Sequence, residues 1–478
     1  MEIELEIVLG IILVLNILFA IIIVFVERKN PTAALAWLMV LFFLPPIGFL
    51  LYLIFGQNYT RQKMFAVKEK DDRILRAIFE EQHRDLVDRT YRFSNPDAEP
   101  YRDTIFALLQ SNRAFLTEYN QVDLYTDGRE MFDALFAAIR GARHHIHLEY
   151  FIINNDDLGR AIVGALAEKA REGVEVRLLF DALGTRAGGG SKEAFHELTD
   201  AGGKIGVFFP SIYRLNYRNH RKIAIIDGTV GFIGGFNIGD EYLGIGAMGY
   251  WRDTAIRIAG AAVYLLQLRF FLDWHFATEE ELEATGQYFP EIEGLGATPV
   301  QIVSGGPDTR WNPIKEGYLK LINSARESVY IQTPYFIPDD SVSDALRLSA
   351  LSGVDVRVMV PCKPDHPFVY WATLSFIGDL LDSGVRAYTY DNGFIHAKTI
   401  VIDGKAGSVG SANWDVRSFR LNFEANAVFY DSSVGSEMKR RFEQDLTVCT
   451  EITAERYRAR SRRVRFKESI SRLFSPLG

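Results

Sequence analysis

One stretch of this sequence occurs twice. Residues 220–237 run His220-Arg221-Lys222, four mostly apolar residues, Asp227, six more, then Gly234-Gly235-Phe236-Asn237. Residues 396–413 run His396-Ala397-Lys398, four more, Asp403, six more, then Gly410-Ser411-Ala412-Asn413. His, Lys, Asp, Gly and Asn recur at the same internal offsets, 176 residues apart. Two such matches in register predict a duplicated unit, and a chain built from two related halves.

The flanking sequence extends the repeat. In the first half, 122–125 is strand-like, Asp127-Gly128 marks a turn, and Met131, Leu135 and Ile139 set a helical period. A strand over 146–153, a helix over about 158–172 and a strand over 174–181 follow. In the second half, the strand 300–303 is followed by a helix to about Ala325, a strand over 329–336, a helix over 343–351 and a strand over 354–360. Ala142-Arg143 echoes Ala325-Arg326, Tyr150-Phe151-Ile152 echoes Tyr335-Phe336-Ile337, and 173–177 echoes 353–357. The alternation predicts an α/β fold with a substantially parallel sheet, its halves at 121–297 and 298–450.

The N-terminus poses a different solvent problem. Residues 7–26 are apolar apart from Asn16, and 33–55 form a second apolar run. Each is long enough to cross a bilayer as a helix. The opening residues are acidic and no small-residue cleavage site follows, which disfavours a signal peptide. We expect a two-helix transmembrane anchor over 1–60, with Pro45-Pro46 and Gly48 kinking the second helix, and a membrane-proximal linker over 61–120. Arg61, Lys63, Lys68, Lys70 and Arg73 outnumber Arg28 and Lys29, so the main body is expected on the cytoplasmic side.

Net charge is −8, so the composition carries no basic excess for coating nucleic acid. Cys362 and Cys449 lie far apart without zinc-ligand spacing and are read as free thiols.

The doubled stretch carries the chemistry. Residues 223–226 and 399–402 read as buried strands, with Asp227-Gly228 and Asp403-Gly404 as turns. Side chains alternate along a strand, so His220 shares a face with Lys222, and His396 with Lys398. Asp227 and Asp403 then point away or sit in the turn, in a supporting role. Lysine charge, the amide donors of Asn237 and Asn413, and close-approach glycines suit the oxygens of a phosphodiester. Two copies allow one imidazole to attack phosphorus while the other protonates the departing alkoxide. Such a site needs no metal and no cofactor.

The double His-x-Lys-x4-Asp pattern resembles the phospholipase D superfamily. Residues 219–222, 234–242 and 250–253, with 333–338 and 411–419, are similar to those of bacterial cardiolipin synthases, as are Arg28-Lys29-Asn30-Pro31 and Pro45-Pro46-Gly48. The resemblance implies two phospholipase D-like α/β halves forming one site, preceded by a transmembrane hairpin, in a bacterial cell membrane. It further implies a phosphatidyltransferase that works through a phosphatidyl-histidine, with phosphatidylglycerol as donor and as acceptor. By the same analogy, His220 is the nucleophile and His396 the general acid, later base. The catalytic set is then His220, Lys222, Asp227, His396, Lys398 and Asp403, with Asn237 and Asn413 on the phosphate. A hydrolase using water or a transferase using another acceptor shares this chemistry; a nuclease is disfavoured by the membrane anchor.

A histidine nucleophile needs its second nitrogen held. Glu424, within Asn422-Phe423-Glu424-Ala425-Asn426, and Asp253 are each expected to orient one histidine. Ion pairs with Arg417 or Arg252 are the competing use of these carboxylates. His145, His147 and Glu149 share a strand face, where packing or pocket lining is favoured over metal binding. Phe368, Tyr370, Trp371 and Phe376 form an aromatic cluster, read as core or as a lipid-contacting rim. The basic segment 451–478, with eight Lys or Arg in 456–472, is either a solvated end or a surface for anionic lipid.

Overall fold

A computed structural model describes residues 2–26, 31–44, 47–48, 52, 73–190, 192–209, 216–292 and 294–475. The first half contributes β1 (Leu116–Tyr125), β2 (His145–Tyr150), β3 (Glu175–Asp181), β4 (Lys204–Phe208), β5 (Ile223–Ile226), β6 (Val230–Gly234), β7 (Trp251–Arg252) and β8 (Ala255–Ala259). The second contributes β9 (Thr298–Gly305), β10 (Ser328–Gln332), β11 (Phe336–Ile337), β12 (Asp355–Pro361), β13 (Arg386–Tyr390), β14 (Phe394–Ile395), β15 (Thr399–Ile402), β16 (Ala406–Gly410), β17 (Trp414–Asp415), β18 (Glu424–Tyr430) and β19 (Cys449–Glu451).

Fifteen of these strands form one sheet, ordered β4-β3-β2-β5-β6-β8-β1-β9-β18-β16-β15-β10-β12-β13-β19. Outward from the antiparallel β1–β9 seam, the two wings repeat the same order. The sheet is more mixed than the sequence suggests. Only β2-β3-β4 and β10-β12-β13 are parallel within it. The doubled motif itself forms antiparallel hairpins, β5–β6 and β15–β16, because tight turns cannot join parallel strands.

Those turns explain the aspartates. Asp227 and Asp403 take positive φ angles of 54° and 55°, and Gly228 and Gly404 follow at 65° and 63°. Asp and Gly tolerate this left-handed backbone best. The Asp227 carboxylate accepts the backbone N–H groups of Arg143, His144 and His145 at 2.8–3.0 Å. Asp403 does the same for Arg326, Glu327 and Ser328 at 2.8–2.9 Å. Each aspartate therefore ties the motif hairpin to the start of the neighbouring strand.

The motif strands are buried on both faces, which is why they read as unbroken apolar runs. Ile223 and Ile225 enter a core shared with Val401, Val409 and Ala425 of the other half, while Ala224 and Ile226 face the first half's own core. Arg221, almost fully buried, spans the two halves. It bonds Asp273 at 2.7 Å and the carbonyls of Glu424 and Gly305 at 3.2 Å.

The sheet also corrects the internal alignment. Ile146 pairs with Ile226 as Val329 pairs with Ile402, so His147 corresponds to Tyr330 and Glu149 to Gln332. The Tyr-Phe-Ile echo is therefore a two-residue slip. Helix Arg102–Asn112, expected within a linker, packs Ile105, Leu108 and Leu109 into the second half's core. The C-terminal segment is folded as helices Ala454–Arg458 and Arg462–Phe474, the latter laid against Pro367–Leu381, which carries Phe368, Tyr370, Trp371 and Phe376. Cys362 and Cys449 are free thiols.

At the N-terminus, helix Glu2–Ile21 continues into a π-helical turn at Ile22–Val26 and packs against Pro31–Phe43. Among the described residues no helix is long and apolar enough to cross a membrane. Residues 27–30, Pro45-Pro46, the end of the second apolar run and the basic stretch before Arg73 lie outside the described residues.

Replacing Asp227 with Ala leaves three backbone donors without their charged acceptor. We expect thermal unfolding to show a loss of about 2–4 kcal/mol, with residual turnover at permissive temperature far above that of His220→Ala.

Candidate active site

Each motif histidine stands just before a motif strand, at a point where the halves cross over. The backbone N–H of His220 donates to the Phe423 carbonyl at 2.9 Å, and that of His396 to the Arg252 carbonyl at 2.7 Å. A bridge joins Asn219 to Phe423, and β14 pairs with β7 in parallel. These short pairings bring the carboxylate after each partner strand under the other half's histidine. Nδ1 of His220 lies 3.0 Å from both Glu424 carboxylate oxygens. Nδ1 of His396 lies 2.6 Å from Asp253 Oδ2. Each carboxylate thus serves the histidine of the opposite half.

An ionised carboxylate only accepts, so Nδ1 carries the proton and donates it, leaving Nε2 with its lone pair. Among the described residues no hydrogen bond engages either Nε2. Around the rings, Lys222 Nζ donates to the His220 carbonyl at 2.5 Å and Lys398 Nζ to that of His396. Lys398 also lies 4.0 Å from Asp253, and Lys222 sits over the Phe151 ring.

The electrostatics identify one shared pocket. Burial pushes the His220 imidazole down to about 4; Glu424 opposes this, and both Lys222 and Lys398 reinforce it. His396 is held well below the usual imidazole range by burial, both lysines and His220. Lys222 is driven well below the ordinary ammonium range, and Lys398 to about 8, in both cases mainly by burial. Burial raises Asp253 to about 6 against the pull of Lys398. Burial acts upward on Glu424 too, but His220, Lys222 and the Ser411 hydroxyl outweigh it and keep its carboxyl low. The rings are therefore neutral at rest.

The halves differ in how they fix the carboxylate. Ser411 Oγ donates to Glu424 at 2.5 Å. Gly235 takes the corresponding place, where a Cβ would meet Asp253 Oδ1 at 2.1 Å, so only glycine leaves room. Asp253 instead accepts the Thr254 N–H at 2.6 Å.

The remaining expected residues are placed as follows. Asn237 donates to the Tyr242 hydroxyl at 3.2 Å, and that hydroxyl lies 3.2 Å from His396 Nδ1. Asn413 is buried, with its amide oxygen unpaired among the described residues. Asp227 and Asp403 are not brought to the pocket. Each sits in the turn after its motif strand, on the backbone N–H groups of the neighbouring strand, the supporting position that side-chain alternation predicts. Arg252 pairs with Asp445 at 2.7 Å and Arg417 bonds Asn216, so neither takes the histidine-facing carboxylates. His145 and His147 share Gln267 at 3.0 and 2.8 Å, with His147 stacked on Phe270. Among the described residues no group of His, Cys, Asp and Glu could hold a metal ion.

Sequence reasoning missed Tyr242, Phe151 and Trp251. Phe151 stands 4.9 Å from the His220 ring and Trp251 5.2 Å from that of His396. Their nearness comes from tertiary packing, which spacing along the chain does not encode.

Two protonation limits bound activity. Below about pH 6 Asp253 is protonated and releases His396; above about pH 8 Lys398 loses its charge. We expect a bell-shaped kcat/KM profile, with Lys398→Arg shifting its alkaline limb upward. Glu424→Gln should lower kcat by about 10²–10⁴, since an amide no longer enforces the tautomer.

Known proteins resemble this chain along nearly its whole length. The family model for the cardiolipin synthase phospholipase D-like domain matches residues 135–249 and 318–446, and that for the phospholipase D-nuclease N-terminal region matches 14–57. The major cardiolipin synthase ClsA of Bacillus subtilis is 50% identical, covering 99% of both chains. A cardiolipin synthase of Staphylococcus aureus is 49% identical over 97% of this chain and 95% of its own. The crystal structure of phosphatidylserine synthase from Haemophilus influenzae has the same fold, with a TM-score of 0.59 at 14% identity over 78% of this chain and 96% of that one. The chain belongs to the bacterial cardiolipin synthases of the phospholipase D superfamily.

Proposed function

We propose that this protein makes cardiolipin by transferring a phosphatidyl group from one phosphatidylglycerol to the terminal hydroxyl of a second, releasing glycerol. The observation that carries the mechanism is the crossed pair of histidine–carboxylate contacts around one buried lysine pocket. The donor's phosphate lies against Lys222 and Lys398, with Asn237 and Asn413 at its edge. Its negative charge also favours the imidazolium form, which gives the pocket a general acid.

His220 is assigned as nucleophile because Glu424 stays ionised and holds its Nδ1 with both oxygens. Its Nε2 attacks phosphorus, the phosphorus–glycerol oxygen bond breaks, and protonated His396 gives the proton to the departing alkoxide. The acceptor hydroxyl then loses its proton to His396 and attacks phosphorus, and the phosphorus–nitrogen bond breaks. The donor's binding contacts and both proton transfers come from this chain's own side chains.

The N-terminal helices anchor this body in the bacterial membrane as a two-helix hairpin, with the catalytic halves on the cytoplasmic side. Two features support the hairpin. Leu13, Val14, Ile17, Leu18, Phe25, Leu35, Met39 and Phe42 are exposed, an arrangement that suits lipid and not water. Asn16, the one polar break in the first run, donates its amide N–H to the Leu41 carbonyl at 3.2 Å, inside the pair.

Purified protein incubated with labelled phosphatidylglycerol vesicles should yield cardiolipin and glycerol in equal amounts, and do so with divalent cations chelated. Accumulation of phosphatidic acid in place of cardiolipin would make the protein a hydrolase. An acid-labile phosphatidyl adduct trapped on His396 and not on His220 would reverse the two roles.

A further inference from the structure

Helix Arg462–Phe474 is docked the wrong way round for a core helix. Its buried positions are polar: Glu468 and Ser471 face the protein, where Glu468 accepts from Arg460 at 2.6 Å. Arg472 pairs with Asp379 at 2.5 Å, donates to the Ser375 hydroxyl at 3.2 Å and lies over Phe376. Its apolar positions face out. Phe466 and Leu473 are each 67% exposed and Ile470 39%.

At about 100° per residue, Phe466, Ile470 and Leu473 fall within a stripe about 60° wide, opposite Glu468 and Ser471. Exposed Arg462, Arg463, Arg465 and Lys467 flank that stripe on both sides. The charge is local. Residues 454–475 carry eight Lys or Arg against two Glu, in a chain whose net charge is −8. An apolar stripe edged by basic side chains, on a helix already held to the protein by its polar face, is built for an interface. The flanking charge selects one that is apolar within and anionic at its surface.

We propose that this helix lies in the plane of a leaflet of anionic phospholipid. Phe466, Ile470 and Leu473 sit among the acyl chains and Arg462 and Arg463 lie at the lipid phosphates, while Arg465 bonds the Arg458 carbonyl and Lys467 lies over the Trp371 ring. The stems of the basic side chains cover the edge of the stripe while their heads stay at headgroup level. The supporting helix Pro367–Leu381 begins next to Asp365, which hydrogen-bonds Tyr335 and lies in the field of Lys398. The lipid contact and the reaction pocket therefore share one rigid element, and the C-terminal helix fixes how far the pocket stands from the lipid surface. This contact is separate from the N-terminal hairpin and does not depend on which acceptor is used.

The test is photolabelling of the full-length protein in nanodiscs, with phosphatidylglycerol carrying a diazirine near the end of one acyl chain. Peptide mapping should place lipid adducts on Phe466, Ile470 or Leu473 as well as on the N-terminal segment. Adducts on the C-terminal helix should fall about tenfold when the anionic lipid is diluted into phosphatidylcholine, and equally in Arg462→Glu/Arg463→Glu, with N-terminal adducts unchanged. These two arginines face water, so an unchanged melting temperature checks that the variant is folded. N-terminal adducts without any on the C-terminal helix would overturn the proposal, as would protection of the stripe by a second protein. Labelling needs no turnover, so an inactive preparation still tests this contact.

Discussion

Two lysines and two histidines are buried around one pocket, with each ring held by a single carboxylate. Burial and mutual repulsion strip the histidines of their protons, and burial brings Lys398 down to about 8. A folded protein sustains such a cluster only if the surrounding structure over-determines it. Here that structure is a fifteen-stranded sheet whose motif strands are apolar on both faces. In the proposed reaction a phosphodiester would relieve that repulsion, turning strain held at rest into affinity for the group on which the chemistry is done.

The duplication is what makes the pocket possible. Each half alone supplies a histidine and a lysine but not the carboxylate that orients its own ring. Exchange of β7 and of the chain before β18 between halves supplies it. Neither half can therefore be complete without the other, and Arg221 adds a buried tie across the same boundary. The symmetry is then broken in small ways, and the proposed division of tasks between two like rings rests on them. Ser411 stands where Gly235 does, Arg221 where Ala397 does, and Tyr242 leans on one histidine only.

Much of this is legible in the sequence because it is local. Apolar runs of four residues followed by Asp-Gly predict strand and turn, and the hairpins β5–β6 and β15–β16 are there. Alternation also places Asp227 and Asp403 away from the reacting face, which the turn geometry accounts for. What spacing does not reveal is long-range. The Asp253–His396 and Glu424–His220 contacts join residues 143 and 204 apart in sequence, and nothing in the local pattern says that they cross. Strand direction escapes a local reading for the same reason, since helices between strands suggest more parallel pairs than the sheet contains. The C-terminal helix shows the converse: its composition is visible, but only docking reveals that its apolar side is the free one.

The most direct measurement is a structure of the protein with vanadate bound in the pocket. We expect a single vanadium between the rings, with His220 Nε2 in line at bonding distance and His396 Nε2 within about 3 Å of the opposite apical oxygen. Vanadate held by one imidazole alone, with the other turned away or beyond reach, would contradict a reaction shared between the two histidines.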